Sequence, residues 1–178
     1  MDIMIAFIKK ALGCPIAVWG GIAAISFFSL AAALYSEVVL GLEPCILCIY
    51  QRIPFVIGIV LGLTGLALRK KEAIGNILLA LLGVNFLSNA AIAFYHTGVE
   101  QKWWASAVEG CAVPNFTETS EQSILENILS APTANCAEIP WQDPILGLSM
   151  ANYNIILCLG IMGVCLLSIL VRNAAKPA

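Results

Sequence analysis

Charge is scarce in this chain. Only 11% of its 178 residues are Asp, Glu, Lys or Arg, and the basic ones form no broad cluster, so a nucleic-acid surface is excluded. Histidine is rarer still: His96 stands alone, which rules out paired imidazole ligation of haem within one chain. No CxxCH and no GxGxxG occurs, so covalent haem and a dinucleotide fold lack their signatures. What is abundant is apolar: 60% of residues are hydrophobic and mean hydropathy is +0.91. A soluble domain of this length has no interior large enough to hide that surface, so the bilayer acts as solvent.

Four apolar stretches, approximately 11–35, 48–68, 73–95 and 146–171, reach the roughly 20 residues needed to cross a hydrocarbon core. Their backbone polar groups must be satisfied internally, so each is expected to be a helix. The first follows Lys9 and Lys10 as a secretory leader would, but its apolar run exceeds the ~7–15 residues of a leader's core, so it reads as an uncleaved span. The expected fold is an all-α membrane protein, one domain over residues 1–178. It is a four-transmembrane-helix bundle with a long loop at 96–145.

Basic residues orient the bundle. Lys9, Lys10, Arg69, Lys70, Lys71, Arg172 and Lys176 fall on one side, and Lys102 is the only Lys or Arg in the two opposite loops. Both termini are therefore expected in the cytoplasm, in a multi-pass protein of a bacterial inner membrane whose long loop faces the periplasm. Within that loop Thr119 and Ser120 precede Ile124, Leu125, Ile128 and Leu129 at helical spacing, which predicts a short amphipathic helix. Trp103, Trp104 and Trp141 suit the membrane interface.

Four cysteines lie on the outer side: Cys45 and Cys48 in a CxxC at the mouth of the second span, then Cys111 and Cys136 in the loop. Disulfides persist in the periplasm. A CxxC holds two sulfurs close enough to form and break a disulfide repeatedly, and a second pair suggests a dithiol relay. Two inert staples, or a zinc ion held by all four, are the structural alternatives. The 25 positions between Cys111 and Cys136 disfavour zinc, and no metal is expected. The CxxC at a helix entrance favours active disulfides, with the helix dipole stabilising a Cys48 thiolate. Arg52, one turn beyond Cys48, is expected on its face, where it would steady the thiolate and meet a reducible carbonyl compound. The bland reading of Arg52 is a guanidinium reaching lipid headgroups. With no metal or flavin motif, a lipid-soluble quinone is the electron sink that location and elimination leave. His96 reads equally as a quinone contact or as an interfacial histidine. Cys14, Cys158 and Cys165 read as packing residues.

The run Glu43-Pro44-Cys45-Ile46-Leu47-Cys48-Ile49-Tyr50-Gln51-Arg52 closely resembles the DsbB family of bacterial disulfide-bond formation proteins. Phe94-Tyr95-His96-Thr97, Cys136-Ala137-Glu138, Trp141 and Leu146-Gly147-Leu148 are similar to the same family, and the resemblance covers nearly the whole chain. It implies a quinone-dependent protein-disulfide oxidoreductase that reoxidises a soluble DsbA-like thiol oxidase and passes the electrons to ubiquinone or menaquinone. On that pattern the DsbA thiolate attacks Cys111, the released Cys136 attacks Cys45, and the freed Cys48 meets the quinone beside Arg52. Gln51 departs from the acidic residue that family members often carry there. A DsbI-like oxidase serving a dedicated partner has the same chemistry; a non-enzymatic four-span scaffold needs none of the outward thiols.

Overall fold

A computed structural model describes residues 2–108, 111 and 134–174. Among these residues lie five helices: α1 (Asp2–Gly13), α2 (Pro15–Val38), α3 (Ile46–Ala67), α4 (Glu72–Glu100) and α5 (Met150–Ala174). The last four are long and apolar enough to cross a membrane. Among the described residues there is no strand, only an isolated bridge between Gln142 and Ser149. The expected loop helix at 119–129 lies outside the described residues.

Element boundaries differ from expectation in three informative places. The first apolar stretch is broken at Cys14, where Pro15 restarts the chain as the first residue of α2. A short separate helix, α1, precedes it and is held to α5 by Ser168 Oγ donating to the Leu12 carbonyl at 2.9 Å. At the other end of the bundle α4 continues past Tyr95 to Glu100, so His96 lies within a helix rather than after it. Finally, α5 starts at Met150, because Asp143 closes a turn over the preceding residues. Its carboxylate accepts from Leu146 N–H at 2.7 Å and its carbonyl from Gly147 N–H at 2.9 Å. Gly147 sits at φ +65°, a left-handed position natural to glycine.

The bundle packs α2 on α3, α3 on α4 and α4 on α5, with lighter contact between α2 and α5. Its core gathers Trp19, Ile22, Phe55, Leu79, Leu82, Phe86, Cys158, Ile161 and Cys165, while Phe28, Val60, Val84 and Leu170 remain exposed on the outside. This inversion of ordinary surface chemistry is what lipid contact requires. Small residues set the helix spacing. A β-carbon at Gly65 would lie 2.3 Å from the Trp19 ring, and one at Gly62 would lie 3.0 Å from the Ala23 β-carbon. Pro54 stands well inside α3, beyond its first turn. Asn85 and Asn89 of α4 donate into that stretch, to the carbonyls of Pro54 at 3.0 Å and Gln51 at 3.2 Å. Amide donors thereby reach carbonyls near a proline that supplies no N–H of its own.

Candidate thiol relay site

Cys45 is the residue that caps α3. Its extended backbone (φ −71°, ψ 167°) turns the sulfur back over the helix start, where it accepts from the Cys48 N–H at 3.3 Å. The Cys45 and Cys48 sulfurs are 3.0 Å apart as thiols. Cys111 and Cys136 are joined in a disulfide. Cys45, Cys111 and Cys136 belong to one buried cluster with Leu47 and Val99, against which the half-buried Cys48 packs with Ile46, Tyr95 and Val108. The loop pair is therefore seated on the CxxC rather than tethered at a distance.

His96 is 3% exposed, and its Nε2 lies 3.5 Å from Cys45 Sγ. Glu100, one turn further on, is the only buried carboxylate among the residues whose burial is described. One of its oxygens accepts from Ser149 Oγ at 2.6 Å, and the other lies 3.8 Å from His96 Nε2. Cys45 therefore attracts more donors than Cys48, whose thiolate the helix N-terminus was expected to favour. The Cys45 thiol is pulled well below the ordinary thiol range, first by the hydrogen bond from Cys48, against the opposing effect of burial, and further by His96.

Two cavities flank the CxxC. The first, about 350 Å³, is lined by Cys48, Arg52, Phe55, Trp141, Tyr153 and Asn154. The second, about 370 Å³, is lined by Cys45, His96, Glu100, Asn135 and Glu138. Cys48 borders both. Arg52 shares the first cavity with Cys48, and its guanidinium is held by Glu37 of α2 at 2.5 Å. His96 lines the second cavity, on the Cys45 side. Of the three packing cysteines, Cys165 is buried in the core, Cys14 is exposed at the α1–α2 break, and Cys158 has a polar role. Cys158 donates to Asn154 Oδ1 at 3.2 Å and accepts from Asn89 Nδ2 at 3.3 Å.

Cys45, Cys48 and His96 present ligand atoms within 4.8 Å of one another, a spacing a metal ion could use. The far side of the imidazole opposes that use. A ligating histidine donates from its other ring nitrogen, whereas His96 Nδ1 faces the amide nitrogen of Gln51 at 2.9 Å. Sequence reasoning missed Glu37, Glu100, Asn89 and Asn154. The polarity of Asn89 and Asn154 inside apolar stretches was the available signal.

Four apolar helices carrying a close thiol pair, with a disulfide seated against it, define a membrane protein of thiol–disulfide chemistry. Comparison with known proteins is specific. The profile of the family described as "Disulfide bond formation protein DsbB" matches residues 15–168. The chain is 33% identical over 152 residues to Disulfide bond formation protein B of Stutzerimonas stutzeri (strain A1501), covering 81% of this chain and 88% of that protein. It is 31% identical over 152 residues to the protein of that name from Polaromonas naphthalenivorans (strain CJ2), covering 83% and 86%. It is also 31% identical over 134 residues to "Uncharacterized protein RP370" of Rickettsia prowazekii (strain Madrid E), covering 75% of each. The chain belongs to the DsbB family of disulfide-bond formation proteins.

Proposed function

We propose that this protein draws electrons from a DsbA-like periplasmic thiol oxidase and delivers them to a membrane quinone, ubiquinone or menaquinone. The observation that carries the reading is the layered arrangement of the cysteines. Cys111–Cys136 packs on Cys45, Cys45 is hydrogen-bonded to Cys48, and Cys48 borders a cavity walled by α2, α3 and α5. A partner thiolate attacks Cys111 and displaces Cys136; Cys136 attacks Cys45 of an oxidised CxxC and displaces Cys48. The partner's second thiolate then attacks the mixed disulfide, so that the partner leaves as a disulfide and Cys111 is freed. Each exchange conserves one disulfide, so a further cycle requires Cys45 and Cys48 to become a disulfide again. That last conversion releases two electrons and two protons, which a quinone takes up on becoming a quinol.

The cavity suits such a head group. Phe55, Trp141 and Tyr153 offer flat apolar faces, and Arg52 with Asn154 offers donors for carbonyl oxygens. Glu37 holds one end of the Arg52 guanidinium, which keeps the fork of N–H groups oriented beside Cys48. Arg52 thus favours negative charge on the Cys48 sulfur and on an adjacent carbonyl oxygen. The decisive experiment supplies reduced DsbA-like protein and quinone to the purified chain in lipid. Quinol production coupled to partner oxidation is expected; neither quinol nor oxidised partner, with the protein's cysteines intact, sinks the proposal in favour of a scaffold.

A further inference from the structure

A line of polar side chains crosses the bundle beneath the CxxC and ends on Cys45. Asn89 Nδ2 donates both to the Gln51 carbonyl and to Cys158 Sγ. Cys158 donates to Asn154 Oδ1, and Asn154 Nδ2 donates to Gln51 Oε1 at 2.6 Å. That leaves the Gln51 amide nitrogen against His96 Nδ1 at 2.9 Å, and His96 Nε2 against Cys45 Sγ at 3.5 Å. The direction of this line is set at its start. A backbone carbonyl only accepts, so Asn89 must present its N–H groups there. Reversing the amides of Asn154 and Gln51 would aim a second amide N–H at the Cys158 sulfur and leave the thiol proton without its acceptor. An amide N–H facing Nδ1 means that the neutral ring carries its proton on Nε2.

We propose that Gln51 and Asn154 are positioning residues that hold His96 as the Nε2–H tautomer. Its single ring proton, with the Cys48 main-chain N–H, then forms a two-donor receptacle for a negative sulfur on Cys45. This inference rests on the relay proposed above and adds a step to it. After the partner has left, the Cys111 thiolate attacks Cys136 in a Cys136–Cys45 disulfide. The Cys111–Cys136 bond forms, the Cys136–Cys45 bond breaks, and the electron pair stays on Cys45. No proton moves and no net oxidation occurs in that exchange. Its product has Cys111 joined to Cys136 and Cys45 unbonded beside Cys48, the pairing found here. The departing Cys45 sulfur meets both donors where it stands, as a developing oxyanion meets prearranged N–H groups.

Other ionisable groups face the same sulfur: Cys48 from α3, His96 and Glu100 from α4, and Glu43 and Glu138 across the second cavity. Glu100 competes for the Nε2 proton, but it stands farther off at 3.8 Å and already accepts from Ser149. The depression of the Cys45 thiol comes first from the Cys48 thiol's hydrogen bond, and both donors of the receptacle, His96 and the Cys48 main-chain N–H, act in the same direction; the thiolate is lost only when pH falls through the lowered value.

Because His96 is the only histidine, nitrogen-15 histidine labelling of the full chain in lipid nanodiscs reads this ring alone. With Cys45 and Cys48 reduced and quinone removed, Nε2 is expected to be protonated and Nδ1 bare. Gln51→Glu, whose carboxylate only accepts, is expected to draw a proton onto Nδ1. In Gln51→Leu the pH midpoint for alkylation of Cys45 should rise by about one unit, a tenfold loss of thiolate below it. Re-formation of Cys111–Cys136 from the trapped Cys136–Cys45 species should slow by about the same factor. A wild-type ring protonated on Nδ1 alone overturns the proposal, even where Gln51→Leu fails to fold. So does an unchanged Cys45 midpoint in a folded Gln51→Leu. Failure of wild-type protein to oxidise its partner would instead strike the relay, and the tautomer would still be read.

Discussion

At the scale of single residues, Arg52 carries the sharpest test of the quinone reading. Its guanidinium borders the cavity beside Cys48 and is held by Glu37, not left to reach lipid headgroups unaided. Arg52→Ala should lower quinone-linked turnover by about 2–4 kcal/mol of transition-state stabilisation, or roughly 30- to 1000-fold. Arg52→Lys should recover part of this, since lysine keeps the charge but not the planar fork. Steady-state partner oxidation at varied quinone concentration is the measurement, with the loss appearing in quinone KM or kcat while attack at Cys111 proceeds normally. Unchanged quinone kinetics would return Arg52 to a lipid-facing role. The outer pair offers a complementary trap. Cys136→Ser removes the resolving thiol, so the partner should accumulate as a mixed disulfide on Cys111, visible on non-reducing gels. Cys111→Ser should form no such adduct; multiple turnover by either variant would break the proposed order of attack.

At the scale of helices, α2 and α3 approach as closely as they do because α3 is notched where Trp19 lies. Gly65→Ala would force a methyl into the indole, and Gly160→Ala, with nothing within 4 Å, is its control. The first should lose roughly 1–3 kcal/mol of stability, read as an earlier thermal midpoint in detergent, while the control stays near wild type. Existence of the four spans was legible because apolar length alone reports a crossing helix. Their ends were less so. Hydropathy falls off after Tyr95, yet α4 runs on to Glu100, because residues 134–149 cover its last turn and Ser149 supplies a partner for the Glu100 carboxylate. A local pattern carries no information about such cover. The cysteines were legible because CxxC spacing has few other uses. The Asn154–Gln51–His96 line was not, because it joins α3, α4 and α5 at separations of 45 and 103 residues.

At the scale of the whole molecule, the thiols and most of the basic residues occupy opposite ends. Arg69, Lys70 and Lys71 lie between α3 and α4, at the end reached by Lys9, Lys10 and Arg172, while both cysteine pairs gather where α3 begins and α4 finishes. With 29 residues, α4 is about 43 Å long, well beyond a hydrocarbon core of about 30 Å, so its His96–Glu100 turn belongs near an interface. Because cationic loops are generally retained in the cytoplasm, the proposed function takes the cysteine end as outward, on the side where a soluble partner would meet the loop that carries Cys111. This orientation is testable in intact bacterial cells with a membrane-impermeant maleimide. Gln101→Cys, at the exposed end of α4, should be modified without permeabilisation, and Lys70→Cys only after it. The reverse pattern would place the thiols in the reducing cytoplasm, where a protein-oxidising disulfide would not persist. Orientation is therefore as necessary to the proposed activity as the sulfurs themselves.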